Sequence, residues 1–119
     1  MGDISKNFDR SEFACKCGCG QDTVDVELVD VLQRLRDHVN KPIGISSANR
    51  CPSHNISVGG SPKSQHLVSK AADLQLSGLD PEEVADLLEQ WFPSKYGIGR
   101  YNSFTHIDVR GGRSRWDKR

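Results

Sequence analysis

Two short stretches constrain this chain more than any other feature: Ala71-Ala72-Asp73-Leu74-Gln75-Leu76 and Thr105-His106-Ile107-Asp108-Val109. Each alternates with the two-residue period of a strand. Ala72, Leu74 and Leu76 therefore share an apolar face, as do Ile107 and Val109. The opposite faces carry Asp73 with Gln75, and His106 with Asp108. Burying the apolar faces leaves Asp73 pointing where His66 can meet it, and delivers His106 with a carboxylate beside it. Tyr96-Gly97-Ile98-Gly99-Arg100-Tyr101 reads as a further strand, joined to the second stretch by the polar turn Asn102-Ser103 in a hairpin.

Helical periodicity supplies the rest of the frame. Leu28, Val31, Leu32, Leu35 and Val39 recur at spacings of three and four, which predicts an amphipathic helix over 26–39. Asp25 is its candidate N-cap, and Asn40 with Pro42 ends it. His38, near that end, suits the helix dipole better than a metal. Asp80-Pro81-Glu82-Glu83 predicts a second helix start, with Asp80 as cap, proline at the first helical position and Glu83 closing a capping box. Val84, Leu87, Leu88 and Trp91 would form its buried stripe, and Pro93 would stop it. Between these helices, Ile43-Gly44-Ile45-Ser46-Ser47 reads as a short strand leading to Arg50. Pro52 to Lys63 reads as a loop rich in glycine, proline, serine and asparagine. The pattern predicts an α+β fold, two main helices packed on a small, mainly antiparallel sheet.

At 119 residues the chain fits a single domain, 1–119, with an irregular N-terminal segment (1–24, pinned by Phe8 and Phe13) and a basic C-terminal tail (111–119). Sixteen basic residues balance sixteen acidic ones, which argues against a nucleic-acid binder driven by counterion release. The tail could still attract an anionic polymer such as the cell wall. No apolar run is long enough for a membrane helix, and Met1-Gly2-Asp3-Ile4-Ser5-Lys6 lacks the apolar core of a secretion signal. The expectation is a monomer made in the cytoplasm. Cys15, Cys17 and Cys19 alternate too closely for the usual zinc knuckle, so buried thiols or one disulfide to Cys51 are expected ahead of a structural zinc.

His66, Asp73 and His106 form the candidate metal set. Two imidazoles and one carboxylate suit Zn²⁺ with a fourth position open, and a water there has its pKa lowered from 15.7 to about 7. The residues themselves thus predict one zinc per chain and hydrolytic chemistry. His54, in the loop, is read as a hydrogen-bonding residue outside the set. Arg50 has two readings, a partner of a nearby carboxylate or a functional cation.

Ser64, His66 and Asp73 followed by His106 resemble the motif of the zinc D-alanyl-D-alanine carboxypeptidases. The wider pattern Asn49-Arg50-Cys51-Pro52 with His54-Asn55 and Val58-Gly59-Gly60 is similar to that family's phage endolysin and murein peptidase branch. The resemblance runs from Phe8, Ser11-Glu12-Phe13 and Cys15-x-Cys17-Gly18-Cys19-Gly20 to His106-Ile107-Asp108-Val109-Arg110. It implies the hedgehog/DD-peptidase fold and hydrolysis of an amide bond in a peptidoglycan stem peptide containing a D-amino acid. It also implies that Arg50 stabilises the oxyanion and that Ser64 hydrogen-bonds the substrate. The family's carboxypeptidase and dipeptidase branches carry a Glu or Asp as general base three residues before the last histidine, and Ser103 stands there here. A serine cannot serve as base near neutral pH unaided. Asp108 is the expected substitute, with orientation of a ligand imidazole as its alternative role. The rival function is a non-catalytic zinc-binding domain of the same fold that recognises cell wall or protein.

Overall fold

The computed structural model describes residues 7–15, 25–48, 50–59, 64–68, 70–76 and 78–119. Its fold is α+β, a five-stranded mixed sheet with helices. In chain order the elements are α1 (Val26–Val39), β1 (Ile43–Ser47), α2 (Pro52–Ser57), β2 (Ala71–Leu76), α3 (Pro81–Trp91), β3 (Gly97–Arg100), β4 (Thr105–Asp108) and β5 (Ser114–Asp117). Single 3-10 turns cover Arg10–Phe13 and Gln65–Val68. The strand order is β1-β2-β4-β3-β5, antiparallel throughout except for the parallel pair β3–β5.

The apolar faces pack as the periodicity predicts. Leu28, Leu32 and Leu35 of α1 and Val84 and Leu88 of α3 meet Ala72, Leu74, Ile98 and Ile107 of the sheet in one core. Full burial of one such leucine stabilises the fold by about 1.5–3 kcal/mol. Phe8 and Phe13 join that core and pin the N-terminal segment, which is a 3-10 turn over Arg10–Phe13 rather than wholly irregular. Trp91 is only partly buried; its ring lies under the Arg34 guanidinium and edge-on to His38.

Caps decide where the helices begin and end. The Asp25 carboxylate accepts from the Glu27 N–H at 2.8 Å, and Asn40 closes α1 in the left-handed conformation at φ 51°. The capping box expected at Asp80 and Glu83 does not form: Asp80 makes no side-chain cap bond, and proline at the first helical position has no N–H to satisfy. The reciprocal bond occurs instead at the 3-10 turn, where Asp9 N–H donates to Glu12 Oε2 at 2.6 Å.

Two other expectations change, and a third, on the cysteines, is narrowed. Residues 52–57 of the expected loop form α2, and 60–63 lie outside the described residues. Residues 114–117 of the expected tail form β5. Arg115 is the reason they hold: it donates to the carbonyls of Phe92 and Tyr96, both at 2.6 Å, and pairs with Glu89 of α3. Those carbonyls follow the last turn of α3, where the backbone has no helical partner. The Cys15 and Cys51 sulfurs lie 3.9 Å apart, too far for a disulfide between these two, and Cys15 is buried; Cys17 and Cys19 lie outside the described residues.

Candidate metal centre

The floor of the site is one row across the sheet. Asp73 on β2 pairs with His106 on β4, His106 with Gly99 on β3, and Gly99 with Trp116 on β5. His66 comes from the 3-10 turn before β2. A bulge in β1 between Ile45 and Ser47 bends the chain beside Asp73. The following residues then close over the floor: the Ala48 carbonyl meets His66 Nδ1 at 2.5 Å, and Arg50 N–H donates to the His66 carbonyl at 3.2 Å.

His66, Asp73 and His106 are all buried, and their ligand atoms lie within 4.8 Å of one another. A carbonyl can only accept, so His66 Nδ1 carries the proton and Nε2 is left facing Asp73 Oδ1 at 3.3 Å. His106 is held the other way round. Its Nε2 lies 2.7 Å from Asp108 Oδ2, and its Nδ1 faces the same Asp73 oxygen at 2.9 Å. Each imidazole therefore has one nitrogen fixed by an outer acceptor and the other aimed at one point. Metal-binding histidines are oriented in this way, and the donor set of two nitrogens and a carboxylate oxygen fits zinc.

The charges of the unliganded groups follow from the same contacts. Burial pushes the Asp73 carboxyl up, but hydrogen bonds from His106 and His66 outweigh it and hold the pKa at about 2. Burial opposes a charged His106, and its contacts with Asp108 and Asp73 overcome this and raise its pKa. Asp108 has no solvent exposure. Burial alone would raise its pKa, yet the Arg110 and His106 contacts hold it well below the usual carboxylate range. Its oxygens receive Arg110 Nε and Nη2, both at 2.7 Å, and the Gly97 N–H at 3.2 Å, besides facing His106.

Above the floor is an open pocket of about 530 Å³. Arg50, Ser64 and Gln65 line one flank; Tyr101, Phe104, Arg110, Trp116 and Lys118 line another. Arg50 reaches Asp73 Oδ2 at 3.5 Å, Ser47 Oγ at 3.3 Å and Asn55 Oδ1 at 3.3 Å. Arg50 thus pairs with a carboxylate, as one reading expects, and also lines the pocket. Ser64 Oγ accepts from His66 N–H at 3.2 Å. Ser103 is exposed in the β3–β4 turn and takes no part in the pocket lining. The side chain of His54 lies outside what is described.

The family model of Peptidase M15 matches residues 6–108, a stretch that includes His66, Asp73 and His106. The chain belongs to this family. It is accordingly a zinc metallopeptidase, and zinc fits the His66, Asp73 and His106 donors. No curated protein matches the chain. Strand β5 of this M15 peptidase lies beyond the matched stretch.

Trp116, Gly97 and Gly99 were missed as site residues. Gly97 leaves room for the Asp108 carboxylate, whose oxygens would lie 2.4 and 2.5 Å from an added Cβ. Gly99 leaves room for the Trp116 indole, with Nε1 2.4 Å from an added Cβ. Two glycines on one face of a strand do mark close approach by another group, so the signal was present.

Proposed function

We propose that this M15 peptidase hydrolyses an amide bond in peptidoglycan stem peptides containing a D-amino acid, acting on the cell wall as a single chain. The finer alternatives, D-alanyl-D-alanine carboxypeptidase and endolysin-type endopeptidase, differ in which half of the peptide the pocket must hold. The reading is carried by one observation: His66, Asp73 and His106 converge beneath an open pocket that Arg50 and Ser64 also line. A metal with a purely structural role requires neither of those neighbours.

His66, Asp73 and His106 would hold the zinc, which when bound would supply Lewis acidity and make a water acidic near neutral pH. The chain's own residues do the rest. Arg50, already oriented by Ser47, Asn55 and Asp73, donates to the oxygen on which negative charge develops. Ser64 offers its hydroxyl to the peptide backbone or a terminal carboxylate. Asp108 fixes the His106 ring rather than acting as the base, because Arg110, Gly97 and His106 occupy its oxygens and it has no exposure to the pocket. Proton handling then falls to Tyr101, whose side chain lines the pocket.

The rival, a zinc-dependent recognition domain without turnover, draws support from Ser103, which brings no carboxylate to the pocket. Incubating zinc-loaded protein with purified peptidoglycan and identifying soluble fragments by mass separates the two. New peptide termini that vanish on chelation are expected. Tight binding to the wall with no new termini would make the domain a recognition module.

A further inference from the structure

The candidate metal donors form the floor of the pocket, Arg50 and Ser64 serve one flank and Tyr101 the other, which leaves Trp116 and Lys118 on that second flank without a role. On that flank the row Asp73, His106, Gly99, Trp116 ends in an indole. Adjacent strands lie about 4.8 Å apart, so two strand spacings, about 10 Å, separate the backbones at His106 and Trp116. The side chain crosses that distance because Gly99, lying between, has none. The Trp116 ring centre is 4.9 Å from that of His106. Its Nε1 donates to the Tyr101 hydroxyl at 2.9 Å, and Tyr101 stacks on Phe104 at 4.2 Å. The Arg110 guanidinium sits 5.3 Å from the indole centre. These contacts set the orientation of the indole over the floor.

Strand alternation puts Lys118 on the same face as Trp116, and Lys118 N–H donates to the Arg100 carbonyl at 2.8 Å, which holds it in line. The three cations lining the pocket differ in what they already hold. Arg110 is bound to Asp108, and Arg50 to Asp73, Ser47 and Asn55. Among the described residues, the Lys118 ammonium has no hydrogen-bond or ion-pair partner. The described lining contains one carboxylate, Asp73, and that belongs to the metal set.

We infer that Trp116 and Lys118 form a carboxylate subsite across the pocket from Arg50 and Ser64. The indole packs against the peptide, and the ammonium pairs with a free carboxylate in the half of the substrate N-terminal to the scissile bond. The assignment rests on the peptidase reading for its substrate class. An exposed ion pair is a modest contact, so the expected selectivity is about fivefold and falls as salt is raised.

The test uses zinc-loaded full chain and three synthetic stem pentapeptides that differ only in charge. One is the free acid, one has the D-glutamate α-carboxylate amidated, and one has the C-terminal carboxylate amidated. Affinities come from calorimetry and KM from hydrolysis. Wild type should bind the free acid about fivefold more tightly than the D-glutamate amide. Lys118→Gln should abolish that preference, with the loss in KM, and keep any preference against the C-terminal amide. Trp116→Phe should weaken all three peptides while keeping a native circular-dichroism spectrum. Equal binding of acid and D-glutamate amide by wild type overturns the subsite, as does Lys118→Gln weakening both alike. Acid preference without cleavage supports the subsite and sinks the peptidase reading; cleavage without acid preference does the reverse.

Discussion

The floor and the β5 wall of the pocket are built on opposite principles. On the floor, charged groups are buried and every one is answered: Asp73 by His66, His106 and Arg50, and Asp108 by His106, Arg110 and Gly97. Burying a charge is costly unless it is paired, so the floor tolerates almost no change. The wall is made by packing. Trp116 lies across Gly99, Tyr101 on Phe104, and only Lys118 carries a charge that nothing inside the described chain meets. Binding a fixed cation calls for the first kind of construction, and meeting a variable peptide permits the second.

Breaking the floor should have the largest effect. His66→Ala removes one of three ligands and should abolish zinc binding and hydrolysis together, measured by metal content after chelation and re-addition. Retained zinc would place the metal elsewhere. A subtler cut is Asp108→Asn, which keeps the volume and leaves the Arg110 and His106 contacts weakened. Zinc affinity should fall about 10–100-fold, with activity restored by excess zinc. Lost turnover with unchanged zinc affinity would return Asp108 to the role of general base. The smallest effect should come from the wall. Gly99→Ala forces the indole aside, costing about 1–3 kcal/mol of stability by overpacking, while zinc binding persists. Thermal unfolding and metal titration of the same samples would check it; loss of zinc would show that wall and floor are one unit.

The floor was legible in the sequence because its residues contradict their surroundings. An aspartate and a histidine at alternating positions within core strands demand an explanation, and a shared cation is one. The hairpin, α1 and α3 were legible from periodicity over enough residues. Strand β5 was not, because Ser114-Arg115-Trp116-Asp117 is short, charged and has no apolar alternation. What stabilises it is Arg115 reaching carbonyls at the end of α3, an interaction between segments distant in the chain. The role of Asp108 was open for a related reason: alternation gives the face a carboxylate lies on, and only the packed neighbours tell whether its oxygens are taken.

The period of β5 also separates two tasks that most binding surfaces combine. Arg115 points to α3 and fastens the strand, whereas Ser114, Trp116 and Lys118 line the pocket. Mutations on the pocket side can therefore accumulate without loosening the attachment, and those at 114 and 118 leave the Trp116 contacts with Tyr101 and His106 in place. For an engineer the consequence is a short library: vary 114, 116 and 118, hold Arg115 fixed, and leave Gly99 as glycine whenever a large ring is wanted beside His106.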